Sequence, residues 1–222
     1  MKISVRYRIC CLFLIMCAFV AAQAQASDAV QMLGQFVRTV QSGRAQFTQS
    51  VTPPAREGQQ ARTRISSGSF EFVRPNRFRF DYTKPFVQTL VADGQTLWFH
   101  DPELNQVTAR KLGAALQGTP VALIASASDL RALQSDFELI AQAQTEGLHW
   151  VLATPRSREG QLQSLRIGLR MGAAGVELAA LDVLDALGQR SVMRFSRFET
   201  QGAIAAQRFE FAVPPGADLI RP

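Results

Sequence analysis

"SFEFVRPNRFRFDYT", residues Ser69–Thr83, alternates aromatic with polar side chains on both sides of a break at Pro75-Asn76. Alternate residues of a strand point to the same face. Phe70 and Phe72 therefore share one face, and after the turn Phe78, Phe80 and Tyr82 alternate again. The reading is a β-hairpin with an aromatic face. Arg74 is next in line on that face, and a bare charge on apolar surface is costly to bury. Either it is solvated at the strand's end or it has a partner elsewhere in the chain.

The same period runs outward from the hairpin. "RAQFTQSV" puts Phe47 and Val51 on one face, and "FVQTLVADGQTLWFHD" gives two strands joined at Asp93-Gly94, a strong two-residue hairpin pair. "QVTARKL" follows. Later strands are expected in "DFELIAQ", "LHWVLATP", "LQSLRIGLRM", "VELAALDVLD", "RSVMRFSRFE" and finally "QRFEFAVPPG". Such short strands, one turn after another, form a meander closing toward a barrel.

Two segments have helical period instead. Residues 28–42 place Leu33, Phe36, Val37 and Val40 at i, i+3, i+4 and i+7, one amphipathic helix. In "GTPVALIASASDLRALQS", Thr119 caps a start with Pro120 at the first helical position. Val121, Leu123 and Ile124 make a short apolar segment there, and Asp129 to Leu133 a second short turn. About ten or eleven strands of this kind enclose an interior cavity. Helices that must bury apolar stripes close one mouth of it, giving a lidded apolar cup.

Composition fits a dry interior. "MKISVRYR" is basic, "ICCLFLIMCAFVAA" apolar, and "AQAQA" supplies small residues. Residues 1–26 read as a secretory signal peptide cut after Ala26, with Ala24 satisfying the same rule. Cys10, Cys11 and Cys17 all fall inside it, so residues 27–222 are expected to form a single domain with no disulfide, thiol nucleophile or lipid-modified cysteine. The formal charge of +6 falls to +3 without Lys2, Arg6 and Arg8, too mild to imply nucleic acid. Phenylalanine outnumbers tyrosine 15 to 2, which favours apolar area without hydroxyls that need partners. No Gly-x-Ser-x-Gly, His-Glu-x-x-His or Gly-rich phosphate loop is present, and His100 and His149 stand alone. The expectation is a non-enzyme with no cofactor and no metal site.

"RPNRFRFDY", then "QTLVADGQTLWFHDPELNQVT", "GTPVALIA" and a terminal "RFEFAVPPGADLI" together resemble the periplasmic outer-membrane lipoprotein carrier family, LolA. The chain departs from that pattern in Phe80, where a tryptophan is common, and in a short tail after Ile220. The resemblance implies an incomplete (unclosed) antiparallel β-barrel of about 11 strands with a helical lid over an apolar cavity. It implies acylated lipoproteins as cargo, received from the inner-membrane ABC exporter LolCDE and passed to the outer-membrane receptor LolB. On that reading Phe70, Phe72, Phe78, Phe80, Leu90 and Trp98 line the cavity, with Phe36, Leu123 and Ile124 beneath the lid. Periodicity alone fits an ordinary core as well. The resemblance also implies that Arg74, in the Arg-Pro motif, latches the lid in the empty state. A soluble lipid-sensing regulator with the same cup is the alternative, and its known form carries a second domain for which this chain has no room.

Overall fold

The structure, a computed structural model, describes residues 29–55, 60–113, 124, 127, 129–157, 160–200 and 202–222. A helix over residues 29–39 (α1) comes first. Six strands follow: β1 (Ser42–Thr52), β2 (Arg64–Val73), β3 (Arg77–Lys84), β4 (Gln88–Asp93), β5 (Thr96–Asp101) and β6 (Gln106–Lys111). Helix α2 (Leu130–Asp136) starts at Asp129, whose carboxylate accepts the Ala132 N–H at 2.8 Å. Then come β7 (Phe137–Thr145), β8 (Leu148–Pro155), β9 (Leu162–Gly172), β10 (Gly175–Asp185), β11 (Arg190–Glu199) and a short β12 (Asp218–Ile220).

All twelve strands belong to one sheet, ordered β12-β6-β5-β4-β3-β2-β1-β11-β10-β9-β8-β7. Hairpin neighbours pair antiparallel, and β1 joins β11 to unite the two halves. The outer strands β12 and β7 do not pair, so the barrel is unclosed. One expectation needs correction. "QRFEFAVPPG" is no strand: Ala206–Phe209 forms a short 3-10 turn, and the chain lies across the outside of the sheet. The strand of this C-terminal region is instead β12, which runs parallel to β6.

The register explains why the aromatic hairpin organises the fold. Phe70 pairs with Phe80, Phe80 with Leu90 and Leu90 with Phe99; Phe72 pairs with Phe78, Phe78 with Ala92 and Ala92 with Leu97. Cross-strand partners share a face, so these residues form two adjacent rows across β2–β5. Leu33, Phe36, Val37 and Val40 of α1 and its exit bury against the same inner face. Leu112, Ile124, Ala127 and Leu133 belong to the same cluster. Among the described residues this face is packed under its cover. The described residues do not show the apolar cavity expected there.

The close approach of β2 to β3 depends on one glycine. A Cβ on Gly68 would collide with the Asp81 carbonyl oxygen, where the register between the strands shifts. Backbone cannot yield as a side-chain tip can, so Gly68→Ala should destabilise the fold by about 3 kcal/mol. Chemical denaturation measures this, and a loss within about 0.5 kcal/mol would mean that the strands separate freely.

On the outer face, Asp182 is buried and accepts a two-pronged bond from Arg190 (Nε 2.8 Å, Nη2 2.7 Å) and a third from Arg166 at 3.2 Å. Burial opposes its ionisation, but the Arg190 bond and charge, with Arg166, outweigh it and hold the carboxyl below the usual range. A depressed carboxyl contributes stability above its unfolded pKa and loses it as pH falls through the folded one. Asp182→Asn should therefore cost about 1–3 kcal/mol at pH 7. That gap to wild type should close as pH drops below about 4. A pH-independent gap would assign the loss to packing alone.

Candidate functional site: the inner aromatic face and Arg74

Phe70 and Phe80 stack with ring centres 4.4 Å apart, Phe70 lies 5.5 Å from Phe72, and Phe47 meets Phe80 edge-on at 5.4 Å. Phe36, Phe70, Phe72, Phe78 and Phe80 are each at most 2 % exposed. Arg74 continues the face that Phe70 and Phe72 begin, as the alternation requires, and it is buried as well. Its guanidinium carbon sits 5.4 Å from the Phe72 ring centre and 5.6 Å from that of Phe36. The charge is held between two aromatic faces, which the ring quadrupoles favour.

Backbone oxygens supply the hydrogen bonds. Nε donates to the Val40 carbonyl at 2.9 Å, at the end of α1, and Nη1 donates to the carbonyls of Ile124 and, at 2.8 Å, Ala127. One side chain thus ties the sheet to both parts of its cover. No carboxylate among the described residues pairs with it, and Nη2 is buried without a partner. Desolvation pushes the guanidinium pKa down to about 10, so the group stays charged at neutral pH.

The structure brings together Phe36, Phe70, Phe72, Phe78, Phe80 and Ile124. Leu90 packs at the margin of that cluster, partly exposed. Leu123 lies outside the described residues. Trp98 is a correction: it pairs with Val91 and so stands on the opposite face. There its ring stacks on Phe211 at 5.4 Å and its Nε1 donates to Asp93 at 2.8 Å. His100 is on that outer face too, 5.9 Å from Phe211. Among the described residues no group of three His, Cys, Asp or Glu side chains could hold a metal ion.

Past the margin of the cover, the inner face opens into a pocket of about 710 Å³. Val51, Tyr82, Leu90 and Phe99 line it on the sheet side, and Arg62, Arg64 and Phe86 are among the residues at its rim. The Tyr82 hydroxyl donates to Gln49 Oε1 at 3.0 Å, and burial pushes its pKa up to about 12.

The sequence model of the outer membrane lipoprotein carrier protein family, LolA, matches residues 38–212, which include the hairpin, Arg74 and its partner Val40. This chain belongs to the LolA family. An outer-membrane lipoprotein carrier protein of Albidiferax ferrireducens is 54% identical over 209 residues, spanning 94% of this chain and 98% of that protein. One from Methylibium petroleiphilum is 52% identical over 200 residues, spanning 90% and 93%. The crystal structure of an uncharacterized conserved protein from Thermus thermophilus superposes with a TM-score of 0.52 at 10% identity, covering 88% of this chain and 99% of that one. At that identity the likeness shows the fold alone. In this LolA-family chain the pocket residues Val51, Tyr82, Phe99, Arg62 and Arg64 are not among the lining residues expected from the sequence. Hairpin pairing gives Phe99 away as the partner of Leu90, whereas nothing in "TPPAREGQQARTR" distinguishes Arg62 and Arg64 from the arginines of any polar loop.

Proposed function

We propose that this LolA-family protein is a periplasmic carrier of lipoproteins. It accepts acylated cargo released from the inner membrane by the ABC exporter LolCDE, covers the acyl chains, and delivers them to the outer-membrane receptor LolB. Residues 1–26 serve as a cleaved signal peptide and 27–222 as a single carrier domain, monomeric when empty. The role needs no catalytic group, since the exporter supplies the energy.

The observation that carries the reading is the buried Arg74, a charge without a counter-ion among the described residues that joins an aromatic sheet face to a cover by backbone bonds. A cover meant to stay shut is better sealed by apolar packing, because a buried guanidinium with an orphaned nitrogen bears a desolvation penalty. A cover that must lift gains from a bond set that breaks as a unit. Beneath it, Phe36, Phe70, Phe72, Phe78, Phe80 and Ile124, with Leu90 at the margin, offer the apolar area that acyl chains need. Each methylene left in water costs about 0.8 kcal/mol, so a free lipoprotein faces a barrier of tens of kcal/mol. Leu123 stays in the proposal as part of the cover; Trp98 drops out of the lining.

The test is release. Purified mature protein, added to inner-membrane vesicles holding exporter and lipoprotein, should bring the lipoprotein into the soluble fraction only when ATP is supplied. Lipoprotein that stays with the vesicles in the presence of ATP would overturn the carrier reading. The same fold used as a lipid-sensing regulator would bind amphiphile without this release, and membership of the carrier family does not favour it.

A further inference from the structure

The pocket beside the cover has an apolar floor and a basic rim. Val51, Tyr82, Leu90 and Phe99 make the floor; it is continuous with the core, since Tyr82 meets Phe47 at 5.0 Å and Phe80 at 6.4 Å. Arg62 and Arg64 stand at the rim, exposed, and neither guanidinium has a hydrogen bond or ion pair with any described residue. Beside them Ile65 and Phe86 are 64% and 54% exposed, large apolar side chains left in water at one opening. None of the pocket's lining residues belongs to α1 or to the segment bonded by Arg74.

We propose that this pocket is a standing site for a single-chain fatty acid, filled while the cover is closed. The alkyl chain lies on Tyr82, Leu90 and Phe99, and the carboxylate meets Arg62 and Arg64. Because the arginines belong to the pocket wall, the charge sits within its opening, which suits a compact carboxylate that a guanidinium fork can grip. The site rests on the carrier reading for its purpose: a fatty acid seated there blocks the path along the inner face and so competes with cargo loading. It does not rest on that reading for its existence.

The test titrates dodecanoate, dodecyl maltoside and a dodecanoyl lysophosphatidylglycerol into the mature protein by calorimetry. Dodecanoate should bind one molecule per chain. The double variant Arg62→Gln/Arg64→Gln, altered only at exposed positions, should bind it about tenfold more weakly, with dodecyl maltoside unaffected. Phe99→Glu should abolish binding of both, its circular dichroism reporting that the fold is kept. Arg74→Leu should leave dodecanoate affinity within about twofold, because no latch bond need break. Tighter binding by Arg74→Leu would place the chain under the cover instead and overturn the proposal. So would dodecanoate affinity unchanged in the arginine double variant, or binding of the lysophospholipid alone. Failure of the carrier reading looks different: dodecanoate would bind as described while vesicles kept their lipoprotein.

Discussion

Arg74→Leu is expected to load cargo normally and to release it poorly, leaving lipoprotein trapped on the soluble protein. The sign follows from where the bonds are. Nη1 bonds Ile124 and Ala127, and Nε bonds Val40, with the cover on the sheet; in the proposed carrier, lifting the cover would break them. Bonds present in the closed form and broken in the loaded one oppose entry and assist exit. Each charge-assisted bond is worth about 1.5–3 kcal/mol, so loss of the two to Ile124 and Ala127 shifts the balance toward the loaded form by roughly two to four decades. The unpartnered Nη2 and the desolvation of the guanidinium reduce that gain, so the lower end is the expected figure. Leucine removes the bonds and adds surface that suits an alkyl chain. Arg74→Lys should fall between, since one ammonium cannot reach three carbonyls with the geometry of the planar fork. The measurement is transfer from purified loaded protein to LolB. Wild-type transfer rates with Arg74→Leu would make Arg74 a structural clasp and nothing more.

How far the sequence foretold this depends on which rule each residue obeys. Arg74 was legible because a strand's period is two: two residues past Phe72, it had to lie on the aromatic face, and it does. Trp98, placed in the lining by the family resemblance, stands outside because of the register of the β4–β5 hairpin. Across the Asp93-Gly94 turn the parity reverses, and Ala92 pairs with Leu97, so the odd residues Leu97 and Phe99 join Leu90 inside. That signal was available. The C-terminal "RFEFAVPPG" was harder, since Phe209 and Phe211 alternate as in a strand but bury against side chains instead of a ladder. Phe209 is 1% exposed with Arg77 over its ring at 6.0 Å, and Phe211 stacks on Trp98. Periodicity reports which residues seek burial, not what covers them. Whether that face borders a cavity lies beyond periodicity for the same reason: the pattern of Phe70, Phe72, Phe78 and Phe80 demands an apolar partner and is indifferent to whether that partner is a helix or a lipid.

That indifference yields the last prediction. If cover and acyl chains compete for one aromatic face, truncating the cover and truncating the floor should move ligand affinity in opposite directions. Phe36 belongs to the cover: it sits on α1, beside the Arg74 guanidinium and 6.0 Å from Phe198. Phe80 belongs to the floor, in contact with Phe47, Phe70, Phe78 and Tyr82. Either change to alanine removes a fully buried ring and should cost about 3–5 kcal/mol of stability by chemical denaturation. Phe36→Ala weakens only the closed form that ligand must open, so a fluorescent diacylated lipopeptide should bind about tenfold or more tightly. Phe80→Ala takes area from the surface the chains would lie on, and binding should weaken by about tenfold. A charge at position 80 would be uninformative, since an unpaired carboxylate buried among four aromatic rings would prevent folding. Should both alanine variants bind the lipopeptide like wild type while losing stability as expected, the aromatic face would be core and nothing else, and the chains would have to lie elsewhere.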